Sequence, residues 1–279
     1  MQLRRAKIWA TACLFVGLGI GVSPVLSQDT PPPPRILGVL GNALDAAQAG
    51  DLDAARRPLA PLGAVAESLV DWTFLRNGTG SLEAYARFLD GHAHWPLADR
   101  LQRVAEAELE NADAAQVRGF FEGRAPVTHE GRLALAFALS EVDRGRANAL
   151  ARNLWLEAPL TDDSEGRLLD AFSDELSALH ADRVDALLWD GARDAAERSL
   201  PRIDPDRQAL ARARIALQQR QSGVDALVAA VPEPLRNHPG LAHDRFDFRY
   251  DQVSRDSAAD LMLQQSRAPE GLGRPEAWT

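Results

Sequence analysis

The chain has 279 residues but only one cysteine, Cys13, and one lysine, Lys7. Cys13 lies inside an N-terminal apolar run, so removal of that run would leave neither disulfide nor thiol chemistry. Its place within the run, and not after it, also argues against a lipid attachment. Beyond Lys7 the long cationic side chains are all arginine, which reads as codon usage with little mechanistic content. β-Branched residues are scarce, and no alternating stretch marks a strand. His-Glu-x-x-His, Gly-x-Ser-x-Gly and a glycine-rich phosphate loop are all missing. No histidine or cysteine set stands at metal-ligand spacing, so neither a cofactor nor a metal is expected. The net charge of −9 argues against nucleic acid or an anionic membrane as partner.

What is present begins with an export signal. Met1–Lys7 carries Arg4, Arg5 and Lys7, and the apolar run Ile8–Val22 has secretory length. It is shorter than the ~20 residues a membrane span needs. Val25-Leu26-Ser27 offers a small-residue cleavage site, giving residues 1–27 as signal peptide and an exported protein of net charge about −12 starting at Gln28. An uncleaved signal would be the only route to the membrane. Residues 28–35, with Pro31 to Pro34, form a proline-rich linker. The remaining domain is 36–279.

That domain reads as all-α. Its clearest stretch, His180–Gln221, is helix, turn, helix, turn, helix: Gly191 breaks the first, Pro201 stops the second, and Asp204-Pro205 opens the third as N-cap and first helical residue. The phrase Gly-x-x-x-Ala-(Ala/Leu)-x-x-x-Leu recurs at Gly50, Gly145 and Gly191, with a looser copy at Gly223. In it a left-handed glycine ends one helix and small alanines let the next approach closely. Irregular spacing of these copies predicts an irregular α-superhelix, a solenoid of tetratricopeptide-like helical hairpins. On the helix expected over Gly63–Asn77, which Asn77-Gly78 ends in a C-terminal turn, Val65, Leu69, Trp72 and Leu75 lie near one face. His129–Glu141 is apolar enough to be an inner helix, and Asp162 with Glu165 has capping-box spacing. Gly273–Thr279 looks like the start of another helix. On this reading the architecture is truncated at its C-terminal end, exposing an apolar face that would favour self-association.

Few residues invite chemistry. Glu67-Ser68 resembles the start of a muramidase signature but lacks the Gly-Leu-Met-Gln that must follow; Glu67 reads as solvated. His92 and His94 read as structural or surface residues, and the Asp162-Asp163 and Asp204/Asp206 carboxylates as helix N-terminal charges. The segment HDRFDFRY gathers Arg245, Phe246, Phe248, Arg249 and Tyr250. Arg245, Phe248, Arg249 and Tyr250 are candidates for a surface that holds a sugar or an acidic peptide, although aromatics in the core with arginines paired to Asp would give the same pattern. Trp72, Trp95, Trp155 and Trp189 lie on separate helices, which suits inter-helix packing.

Four stretches resemble the N-terminal helical region of soluble lytic murein transglycosylases: LVDWTFLRNG (69–78), HADRVDALLWDGARDAAERSLPRI (180–203), RQALARARIALQQR (207–220), and LAHDRFDFRY with the closing GRPEAWT. The resemblance implies a periplasmic peptidoglycan enzyme whose α-superhelix curves into a ring beside a lysozyme-like domain. That domain cleaves the bond between N-acetylmuramic acid and N-acetylglucosamine, leaving 1,6-anhydromuramic ends, with one glutamate as acid and then base. The catalytic motif is missing here, so no catalytic residue is carried over. The chain alone is expected to be an inactive scaffold that meets peptidoglycan glycan strands. The alternatives are a periplasmic helical module binding a protein or glycan without turnover, and a membrane-tethered scaffold.

Overall fold

The computed structural model describes residues 34–157, 159–268 and 270–278; the signal peptide, its cleavage site and nearly all of the proline-rich linker lie outside the described residues. The described chain is all-helical. In order come α1 (Pro34–Gln48), α2 (Leu52–Arg56), α3 (Ala64–Leu75), α4 (Leu82–His92), α5 (Ala98–Ala107), α6 (Ala114–Phe120), α7 (His129–Leu139) and α8 (Arg144–Glu157). Then follow α9 (Asp162–Leu176), α10 (His180–Trp189), α11 (Arg193–Ser199), α12 (Pro205–Gln218), α13 (Val224–Ala229), α14 (Pro239–Gln252) and α15 (Arg255–Gln265). No helix among these residues is long and apolar enough to cross a membrane.

Local signals fix the helix ends. Asp51, Ser81, Thr128, Asp204 and Ser254 each accept a backbone N–H from the first turn of the helix they precede, which satisfies donors a helix leaves open. Asp113 and Gln116 form a reciprocal capping box at α6. The expected box at Asp162/Glu165 does not form: Thr161 caps α9, and Glu165 is buried against arginines. Gly50, Gly78, Gly191 and Gly223 all have φ between +77° and +86° or, for Gly191, +72°, the left-handed turn expected of them. Gly145 differs. It lies inside the first turn of α8, so the repeated phrase is out of register there: Ala149 is exposed, while Ala147, Ala151, Leu154 and Trp155 are the buried face.

Packing runs mainly between helices close in sequence. α7 packs on α8 and α14 on α15, and α8 touches α10, α10 touches α12, and α12 touches α14. The largest apolar cluster extends from Leu75 to Leu176 and includes fully buried Tyr85, Trp155 and Phe172. Smaller clusters centre on Ala43–Val70, Val184–Ile215 and Leu210–Leu241. As expected, α7 is an inner helix, burying Leu133, Leu135, Ala136, Ala138 and Leu139. On α3 the buried face is Ala66, Val70, Thr73 and Leu75, whereas Val65 is 76% exposed. The small Ala66 and Thr73 sit one turn before and one turn after Val70, and close approach at those positions decides the face. The closing residues make a 3₁₀ turn at Pro275–Ala277 where a new helix was expected, and Trp278 packs back on His243 and Phe246 at 5.3 and 5.2 Å.

The arginines carry more of the fold than codon usage implies. Arg118 donates to the Ala138 carbonyl in the last turn of α7, Arg183 to the Trp155 carbonyl in the last turn of α8, and Arg198 to the Leu160 carbonyl. Arg144 donates to the Ala171 carbonyl beside the kink that Phe172 (φ −133°) puts into α9, and its guanidinium lies 4.9 Å from the Phe172 ring. A planar fork of five donors can cap a carbonyl and cover an aromatic ring together; an ammonium is far less suited to both.

Candidate functional site

Three buried charge centres were not anticipated from the sequence. Glu106 on α5, 1% exposed, accepts from the Gln102 amide, the Val127 and Thr128 N–H groups and the Thr128 hydroxyl. It thereby pins the chain entering α7, and the bare Gly131 leaves room for its carboxylate, which a Cβ would approach to 2.4 Å. Glu165 on α9 meets Arg183, Arg198 and Arg202 at 3.5, 3.8 and 2.9 Å. Arg183, fully buried, also stands 4.2 Å over the Trp155 ring. Burial pushes the Arg183 pKa down, against the pull of Glu165, and burial likewise lowers that of neighbouring His180.

The third lies one hairpin further on. Arg214 on α12 donates from Nε to Asp244 of α14 at 2.6 Å, pairs with Asp185 of α10, and stands 5.5 Å over Trp189. Gln218 completes Asp244 at 3.0 Å and caps the Leu188 carbonyl. Gly240 is what admits the guanidinium, since a Cβ there would lie 2.3 Å from it. His238 caps α14 by accepting the Gly240 N–H, and burial lowers its pKa. Trp155 with Arg183 and Trp189 with Arg214 are thus two copies of one arrangement: a tryptophan ending one helix, covered by an arginine from the helix after next. The signal was visible as Leu-Trp at the ends of α8 and α10, each followed by an arginine about a hairpin later.

The segment HDRFDFRY is divided by helical geometry. Phe248 packs into the apolar cluster with Leu241. Arg245 is half-buried, burial lowering its pKa, with Asp225 of α13 as its nearby counter-charge. Arg249 donates to the Ser257 carbonyl of α15. Tyr250 is 48% exposed, 6.2 Å from Phe246 and covered by Arg255. The four residues therefore do not form one platform. Phe246, His243, Trp189 and Trp278 instead make an aromatic cluster, with the His243 ring hydrogen-bonded to the Ala277 carbonyl. Burial works against the His243 cation, but Asp244 and that carbonyl outweigh it and raise its pKa. Glu67 is exposed as expected. His92 stacks on Phe88, meets Trp95 edge-on and bonds Ser68, a packing role, while His94 is exposed. Asp204 is the cap, and Asp162 pairs with Arg198 without capping.

Two clefts flank α7. One, of about 400 Å³, has a floor of Val117, Leu133 and Phe137 and a rim of Glu110, Glu130 and Asp163, with Arg167 lying over Phe137. The other, of about 820 Å³, lies between the end of α6, α7 and α8; Phe121, Leu135, Leu139 and Leu150 floor it, and Arg118, Arg124 and Arg146 stand around it with Glu122. Proton transfer to a glycosidic oxygen calls for a shielded carboxyl with a free oxygen. Glu106, Glu165 and Asp244 are shielded but held by donors, and the rim carboxylates of the first cleft are exposed. Among the described residues no group of three or more His, Cys, Asp or Glu is placed to hold a metal ion. No family of known proteins, no curated protein and no solved structure matches the chain.

Proposed function

We propose that this protein is the helical scaffold of a periplasmic peptidoglycan-remodelling protein of the lytic murein transglycosylase type, and that its described residues bind the cell wall without cleaving it. The observation that carries the reading is the succession α8, α10, α12, α14, each packed on the next and joined twice by the same Trp–Arg arrangement. Such a succession is how a superhelix of hairpins grows, each unit contacting its neighbours and leaving grooves along its length. The saturated state of the buried carboxylates favours a binding role over proton transfer, and the leader-like residues 1–27 favour export.

The test is digestion. Purified protein is incubated with peptidoglycan, and soluble products are analysed by mass spectrometry. The proposal expects retention on the wall and no 1,6-anhydro muropeptides. Release of anhydro products would assign a catalytic carboxylate to this chain and overturn the non-cleaving part of the reading. Absence of both retention and products would remove peptidoglycan as partner.

A further inference from the structure

The larger cleft beside α7 has a charge opposite to that of the protein. The chain is acidic overall, yet three arginines and one glutamate line this groove. The arginines come from separate places: Arg118 from α6, Arg124 from the connection to α7, and Arg146 from α8. Two are held in place by the fold. Arg118 is anchored on the Ala138 carbonyl; Arg124 is anchored on the Ala86 carbonyl, paired with Asp90, and laid 4.6 Å over the Phe120 ring. Arg146 is exposed. Among the described residues neither Arg118 nor Arg146 has a carboxylate within ion-pair distance. Arg118, fixed through one edge, presents its remaining donors, and the planar fork matches a carboxylate, whereas Arg124, paired with Asp90 and buried at Nη1, adds only its charge to the groove wall. The floor between them is apolar, formed by Phe121, Leu139 and Leu150.

A groove of about 820 Å³ that pairs an apolar floor with spaced, pre-positioned guanidinium groups fits an extended ligand with several carboxylates and short apolar side chains. We propose that it binds the peptide stems of peptidoglycan through their carboxylates, with the alkyl side chains of the stem against the half-buried Leu150. This rests on the peptidoglycan reading above and deepens it: the stem peptides, and not the uncharged hydroxyls of the glycan, are what the arginines recognise. The smaller cleft on the other side of α7, rimmed by Glu110, Glu130 and Asp163, repels the same ligand and directs it to one face of the helix.

The experiment is titration calorimetry of the full chain, expressed with its own N-terminus, against three probes: disaccharide-tetrapeptide muropeptides, the same muropeptides with carboxyl groups amidated, and peptide-free glycan strands whose lactyl carboxyls are amidated. The expected result is binding of the first alone, weakening as salt rises from 50 to 500 mM because the contacts are half-exposed. Arg146→Glu should weaken it at least about tenfold, since one attraction becomes a repulsion. Arg146 holds no structural bond, so this variant keeps its circular dichroism spectrum and melting curve. Arg103→Glu, exposed on α5, makes the same change in net charge and should leave affinity unaltered. Equal binding of amidated and free muropeptides, or an Arg146→Glu affinity matching that of Arg103→Glu, overturns the groove. Binding to peptide-free glycan alone also overturns it while leaving the peptidoglycan reading standing. If no probe binds, the groove assignment fails, and retention on intact peptidoglycan decides the broader reading separately.

Discussion

Replacing Asp244 by asparagine would separate the contribution of a buried ion cluster from that of simple packing. The substitution keeps the shape, so the apolar contacts of α14 survive. What changes is that Arg214, 1% exposed, loses the carboxylate at 2.6 Å, and the Gln218 amide loses an acceptor at 3.0 Å. An asparagine can accept from only one of those donors while turning its own NH₂ toward the other. The counter-charge left to Arg214 is Asp185, whose side chain is 38% exposed. Removing one partner of a buried pair costs about 3–5 kcal/mol; with Asp185 still in place, the lower end, about 3 kcal/mol, applies. For a chain of this size that lowers Tm by roughly 6–12 °C. Urea unfolding followed by circular dichroism gives the free energy, and hydrogen exchange gives its location: because packing runs between near neighbours, protection should fall first in α10, α12 and α14. Asp251→Asn is the control. Its pair with Arg220 has side chains 30% and 46% exposed, so it should cost less than about 1 kcal/mol. If Asp244→Asn costs no more than Asp251→Asn, Arg214 is not held by Asp244, and the reasoning fails.

Other expectations follow from the same geometry. Glu106→Ala removes the acceptor for residues 127 and 128 and should cost about 2–4 kcal/mol, read as an unfolding midpoint shift, because it leaves several donors unpaired. Gly191→Ala and Gly145→Ala should have opposite signs: φ of +72° costs the first about 1 kcal/mol, with no neighbour within 4 Å to clash, while the second, helical and unobstructed, should gain about 0.5–1 kcal/mol. Burial lowers the pKa values of His180 and His238, so the folded state prefers them neutral. Their contribution is full above the ordinary histidine pKa of about 6.5 and is lost as pH falls from there through their depressed folded values. His243 runs the other way: its raised pKa gives stability that is full below about 6.5 and lost as pH rises through the folded value. His238→Asn keeps a side chain able to cap α14 and should flatten the acid-side loss in a pH series of melting curves; an unchanged acid limb would refute the assignment to His238.

The turns and helix starts were the legible part of the sequence, because their causes are local. Glycines 50, 78, 191 and 223 act through their own backbone, and Asp204-Pro205 through a side-chain cap and a preset φ within one turn. The buried faces were less legible wherever alanine dominates. On α8 the phrase beginning at Gly145 pointed to Ala149, but Ala147 and Ala151 are the pair that neighbouring helices cover; alanine suits either face, and only the partner decides. On α3 the exposed Val65 looked as apolar as the buried Val70. The buried charges were hidden for a related reason. Glu165 read as a capping residue because its spacing to Asp162 is a local cue, whereas the arginines that claim it lie 18 to 37 residues away. The binding candidates in HDRFDFRY shared a sequence window but not a face, since at about 100° per residue Phe248 turns toward α12 while Tyr250 turns to solvent.

The central claim, that this helical array engages peptidoglycan, is tested most directly by co-sedimentation of the purified protein with intact sacculi across a range of protein concentrations. The account predicts saturable retention that is competed by soluble peptide-bearing muropeptides and is weakened by salt. Protein that stays in the supernatant at every concentration and ionic strength would contradict it.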